Sequence, residues 1–197
     1  KAGRQADALW LLDESPWWPT ADLADTESVV PAAARVLIRA GRQMEAERLL
    51  KAYLLGSPSD DEGYEALLSL GGTNLVSWLD ALYARDRFEE RPLIWKAAAL
   101  LQEGALDEAE RVVRQALKVD PTDGEQAPGQ RVKAYAVLGD ILEAKGHAKD
   151  AAFFRDVVRS VRVAEEGDAL YEAGLISRSL KKYEEAESLF ADAYCVQ

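Results

Sequence analysis

The sequence is poor in the residues that most often build catalytic and metal sites. Its 197 residues contain one histidine, His147, one cysteine, Cys195, and one methionine. A single histidine and a single cysteine cannot supply the usual ligand sets of zinc sites, and they make an unpromising nucleophile and base. His147 is more typical of a solvated turn, and Cys195 of a packed apolar stripe. We therefore expect no catalytic residues, no metal and no cofactor.

Long apolar runs and an excess of positive charge are also missing. No stretch approaches the about 20 apolar residues that cross a bilayer, so we expect no membrane insertion. Acidic residues outnumber basic ones 35 to 24, giving a net charge of −11. Proteins that bind nucleic acid collect lysine and arginine on one face, so we expect no nucleic-acid partner.

What is present is the composition of a soluble folded protein, with 48% hydrophobic and 30% charged residues. One cysteine permits no intrachain disulfide and slightly favours the cytoplasm, although it does not determine the compartment. The chain starts without methionine or a signal-peptide core. We interpret it as part of a longer protein.

A repeated spacing of small residues organises the sequence. Between Tyr135 and Ala151, a helical stripe carrying Gly139 is followed by a break at Gly146 and by a second apolar helix that contains Ala151. Glycine inside a helix costs about 1 kcal/mol relative to alanine, so Gly139 predicts a close approach of another helix. The same interval of twelve residues recurs at Ala34 and Ala46, Ala97 and Ala109, and Gly174 and Ala186.

This spacing predicts an all-α chain made of helical pairs. Residues 1–26 form the end of a helix and a connector rich in tryptophan and proline, and a shorter, degenerate helical pair occupies 60–90. The predicted repeats occupy 27–59, 91–121, 132–166 and 167–197, with an inserted loop at 122–131. The last repeat has no polar capping helix after it, so we expect it to continue in the parent protein.

Two adjacent tryptophans, Trp17 and Trp18, lie between Pro16 and Pro19. Each proline favours extended backbone in the residue before it, so this segment is not helical throughout. Burial of the two indoles against a neighbouring helix is the simpler interpretation. An exposed docking patch is the alternative.

These features resemble the tetratricopeptide repeat family. Tyr135, Leu138, Gly139 and Leu142 fit the first helix of its pattern, and Ala186 with Phe190 fits the second. Pro58 and Pro121 stand where the pattern closes. The resemblance implies a right-handed α-solenoid of helix-turn-helix repeats whose first helices line a concave groove for peptides or partner domains.

Transferred repeat by repeat, the resemblance implies a candidate partner groove. Its residues are Arg35, Ile38, Arg39, Ile94, Leu101, Lys133, Asp140, Glu143, Tyr171, Leu175 and Arg178. The basic and polar residues with which some co-chaperone members bind a C-terminal carboxylate are not at the corresponding positions. Arg35 and Arg39 are one helical turn apart, and ion pairs with acids on adjacent helices are their alternative role.

The sequence therefore predicts a non-catalytic scaffold that binds a protein or peptide as part of a larger protein. Two alternatives remain open. The chain could be the regulatory or substrate-recruiting arm of an enzyme whose catalytic domain lies elsewhere. It could also be a self-association module that pairs through its open C-terminal end or through Trp17 and Trp18, forming a homo-oligomer.

Overall fold

The structure is a computed structural model that describes residues 9–10, 12–13, 29–72, 74–119, 132–160, 187–188 and 190–191. All regular secondary structure in these ranges is helical, and no strand occurs among them. The predicted all-α, helical-repeat fold is confirmed. The connector at 1–26, the loop at 122–131 and the repeat at 167–197 fall almost wholly outside these ranges.

Seven helices have defined ends. They are α1 (Val29–Arg39), α2 (Gln43–Leu54), α3 (Asp61–Ser69), α4 (Leu75–Arg85), α5 (Arg91–Gln102), α6 (Leu106–Val119) and α7 (Val132–Ala144). A further helical stretch covers 148–160.

Three of the described turns between consecutive helices share one geometry. Gly41, Gly104 and Gly146 have φ of 78°, 77° and 80°, the left-handed region that glycine adopts without strain. The backbone N–H of the next residue donates to the carbonyl five residues earlier, as in Arg42 to Leu37 at 2.9 Å. This bond satisfies a carbonyl at the helix end, and the second helix begins two residues after each glycine.

The pair at 60–90 departs from that turn. Gly71 also has positive φ, 64°, but α4 begins only at Leu75, four residues later. The helix α3 is short, with nine residues, and Asp60 caps it by accepting the backbone N–H of Glu62. A short first helix and a longer turn explain why the spacing of small residues fails here.

The chain divides into two compact units, Lys1–Ala105 and Leu106–Gln197. In the first unit, α1 packs against α2, α3 contacts both of them, and α5 contacts α3 and α4. In the second unit, α6 contacts α7, and α7 packs against 148–160. The small residues of the twelve-residue spacing are buried in both units: Ala34, Ala46, Ala97, Ala109, Gly139 and Ala151.

The helix α5 is buried around its whole circumference. Every residue from Pro92 to Leu100 is buried, including Lys96. The ammonium of Lys96 lies 2.7 and 2.8 Å from the two carboxylate oxygens of Asp80 on α4, so the buried cation is paired. A helix that is buried on all sides is a core helix.

Residues one repeat apart join α3 to α5. The indole N–H of Trp95 donates to Asp61 at 2.7 Å, and the rings of Trp95 and Tyr64 stack with centroids 5.9 Å apart. The Tyr64 hydroxyl donates to the carbonyl of Pro58 at 2.9 Å. Burial raises the pKa of Tyr64, so this hydroxyl keeps its proton.

Gly139 allows a test of the helix crossing in the second unit. A methyl group there would lie 3.5 Å from Cβ of Phe154 and 3.7 Å from the carbonyl oxygen of Ala151, which is ordinary contact. We expect Gly139→Ala to keep or raise the free energy of unfolding, because alanine is the better helix former. Gly139→Leu should lower it by about 1–3 kcal/mol through overpacking. Equal denaturation midpoints for the two variants would contradict this crossing.

The bond between Asp61 and Trp95 can be measured with a double-mutant cycle. Asp61→Ala and Trp95→Phe should show a coupling of about 1–2 kcal/mol in chemical denaturation, because the acceptor is charged and partly buried. The control cycle pairs Trp95→Phe with Glu65→Ala, also on α3, and should be additive. Equal coupling in both cycles would show that the effect is not specific to this bond.

Candidate interaction surface

The first helices α1 and α3 are joined by an ion-pair cluster at their exposed side. Arg35 on α1 places Nη1 2.9 Å from Glu62 and Nη2 3.9 Å from Glu65, both on α3. The Arg35 side chain is 38% exposed, and those of the two glutamates are 61% and 64% exposed. Arg35 thus takes the alternative role that the sequence left open, an ion pair with an adjacent helix.

The other candidates on α1 lie beside this cluster. Arg39 is exposed and makes no ion pair with any described residue, and Ile38 is half-buried. Val29, Ala32, Val36 and Arg39 follow one another at helical spacing and are exposed or half-exposed. The helix α1 therefore presents a mixed apolar and basic stripe to solvent.

The candidates on α5 are less accessible. Ile94 is 1% exposed and Ala98 is 9% exposed, so neither offers surface in this structure. Leu101, near the end of the helix, is half-buried. The sequence already indicated that this helix is buried on all sides, because the segment from Pro92 to Leu101 has no charged residue except Lys96.

The second unit holds three candidates on α7. Lys133 is half-buried, Asp140 is exposed, and Glu143 is exposed and forms an ion pair with Arg155. The remaining candidates lie outside the described residues: Tyr171, Leu175, Arg178, Trp17 and Trp18.

Sequence reasoning missed the two glutamates of α3. The segment at 60–90 fitted the twelve-residue spacing poorly, so none of its residues was assigned to the surface. Yet Glu62 and Glu65 are three residues apart on a helix, which places both side chains on one face. Recognising α3 as the first helix of a pair would have put that face next to α1.

A second ion-pair cluster ties the end of α7 to α6. Lys145 places Nζ 2.6 Å from Asp107 and 2.7 Å from Glu110, and Arg114 also donates to Glu110 at 2.9 Å. The hydrogen bond from Lys145, supported by the one from Arg114, lowers the pKa of Glu110 below its ordinary value of 4.5. Partial burial of this carboxylate opposes the shift.

The lowered pKa of Glu110 predicts how stability depends on pH. A carboxylate whose pKa is lower in the folded state contributes stability above its unfolded pKa and loses it as the pH falls through the folded value. Lys145→Gln should therefore reduce the free energy of unfolding at pH 7, and the difference from wild type should shrink below about pH 4.5. Lys149→Gln, at an exposed position without an ion pair to the described residues, is the control. A difference that stays constant down to pH 3 would contradict this cluster.

Within the described ranges, no group of three or more His, Cys, Asp or Glu side chains could hold a metal ion. None of the helices described is both long enough and apolar enough to span a bilayer.

Comparison with known proteins identifies one repeat directly. The family model of the tetratricopeptide repeat matches residues 91–123, the range that contains α5 and α6. The search of curated proteins found no significant match. The matched range includes the segment 91–121, and the turn at its Gly104 has the geometry found at Gly41 and Gly146. Residues 91–123 therefore match a tetratricopeptide repeat, and repeats of this family generally mediate protein–protein interaction.

Proposed function

We propose that this chain is a non-catalytic interaction module of a larger protein and binds a peptide segment or a partner domain on its first helices. The observation that carries the proposal is the arrangement in the first unit. There, α3 contacts both α1 and α5, so successive first helices are neighbours. At the same time α1 leaves its stripe of Val29, Ala32, Val36 and Arg39 open to solvent.

The apolar part of this stripe provides the area that would hold a ligand. Val29 is 45% exposed at the start of a helix whose other face is packed. Apolar contacts at the centre of an interface supply most of its binding free energy, and charges at its rim mainly affect the rate of association.

The charges of the surface favour a partner segment that carries both signs. Glu62 and Glu65 neutralise Arg35, so Arg39 is the cation on α1 that remains for a ligand. The two glutamates keep more than half of their side-chain surface exposed. A ligand across α1 and α3 would thus meet one positive and two partly compensated negative side chains within a short distance.

Two lysine substitutions at exposed alanines provide a direct test. Ala32→Lys adds a bulky charged chain to the stripe on α1, whereas Ala52→Lys places the same chain on the exposed side of α2. Both positions are helical and solvent-exposed, so the two variants should have similar stability. A partner is first isolated by pull-down with the intact chain, and its affinity for each variant is then measured by calorimetry.

We expect Ala32→Lys to weaken binding at least about tenfold and Ala52→Lys to leave it unchanged. Arg39→Glu should mainly slow association and reduce its dependence on salt. A partner that binds both lysine variants with wild-type affinity would exclude the first-helix surface. If the intact chain retains no protein, the interaction function itself is contradicted.

A further inference from the structure

The loop between α4 and α5 holds an aromatic side chain in solvent. Phe88 is 82% exposed, more than any other large hydrophobic side chain in the described part of the protein. Residues 84–88 are all exposed, so no described element covers it. Its side chain therefore contributes little to the packing of the fold.

Contacts on both sides of Phe88 fix the loop. The backbone N–H of Phe88 donates to the Asp86 carboxylate at 2.9 Å, and the guanidinium of Arg87 lies 4.8 Å from the centre of the Tyr83 ring. On the other side, the Glu89 carboxylate accepts two hydrogen bonds from Arg91, one from the backbone N–H at 3.1 Å and one from the guanidinium at 3.0 Å. A loop that is already ordered loses little conformational entropy when it binds.

The exposed charged side chains next to Phe88 are two cations, Arg85 and Arg87, and one anion, Asp86, in a chain whose net charge is −11. Arg85 and Arg87 are exposed and make no ion pair with the described residues. The Asp86 carboxylate accepts the backbone N–H of Phe88. Glu89 and Glu90 are not exposed, and both pair with Arg91. Most other described arginines are paired with carboxylates: Arg35, Arg42, Arg91, Arg111, Arg114 and Arg155.

We propose that Phe88, Arg85 and Arg87 form an anchor for a second protein, at a surface separate from the stripe on α1. The partner chemistry follows from the loop: an apolar pocket that receives the phenyl ring, with aspartate or glutamate side chains at its rim. Aromatic and arginine side chains are the types most enriched at the energetic centres of protein interfaces. The guanidiniums of Arg85 and Arg87, which make no ion pair with the described residues, favour an acidic rim by charge complementarity.

The first test concerns the premise that Phe88 does not stabilise the fold. Phe88→Ser and the double variant Arg85→Gln, Arg87→Gln should keep the melting temperature of the wild-type chain. A clear loss of stability in Phe88→Ser would show that the ring packs within the protein, and it would overturn the proposal.

The second test uses photocrosslinking from the cell extract in which the protein occurs. The photoreactive amino acid benzoylphenylalanine replaces Phe88 in one version of the chain. In two control versions it replaces Met44 or Phe153, which are 76% and 61% exposed. The linked residue in the partner is located by mass spectrometry. Unlabelled wild-type and variant chains then compete for the crosslink.

We expect a crosslinked protein from position 88 alone, with aspartate or glutamate near the linked residue. Phe88→Ser should need about 30-fold more chain than wild type to compete, the loss typical of an aromatic hot spot. The double glutamine variant should also compete less well, and Ala32→Lys should compete as wild type does.

Four crosslinking results would overturn the proposal. They are no crosslink from position 88, equal crosslinking from all three positions, a product with a second copy of this chain, and a linked site without carboxylates nearby. A fifth result concerns lipid. If mixed phosphatidylserine–phosphatidylcholine vesicles bind the chain and abolish the crosslink, the ligand of Phe88 is a membrane surface, and the proposal of a protein partner is overturned.

Discussion

How closely two helix backbones can approach determines the packing of this protein. The small residues of the twelve-residue spacing that the structure describes, from Ala34 to Ala151, are buried. At Gly139, the carbonyl oxygen of Ala151 lies in contact distance of the position that a Cβ would occupy. Close backbones allow the large neighbours to interdigitate, and Leu50, Tyr53, Leu138 and Leu142 are almost fully buried. Bulk at a crossing point would separate the helices and expose these side chains.

Much of the fold could be predicted because its signals are local. Apolar spacing along a helix and a glycine just after its end can both be recognised from consecutive residues. The helices α1 and α2 lie within the range 27–59, where the sequence predicts a helical pair. The twelve-residue spacing of small residues predicted which positions of each helical pair face one another. The pair at 60–90 lacked both signals in their usual form, and its helices were recognised only as a degenerate repeat.

The side-chain partners could not be predicted in the same way, because they come from distant parts of the sequence. Arg35 meets Glu62 and Glu65 across 27 and 30 positions, and the sequence gives no distance between them. The burial of Ile94 depends on what surrounds α5 in space, and a pattern of periodicity along one helix does not contain that information. Transferring groove positions from the family assumes one free face on every first helix, which α5 does not have.

The enclosure of α5 has a consequence for the dynamics of the first unit. A helix at the surface can open locally, whereas α5 can expose its amides only after α3 and α4 have moved away. Its amide hydrogens should therefore exchange with solvent only in the largest opening events of the unit.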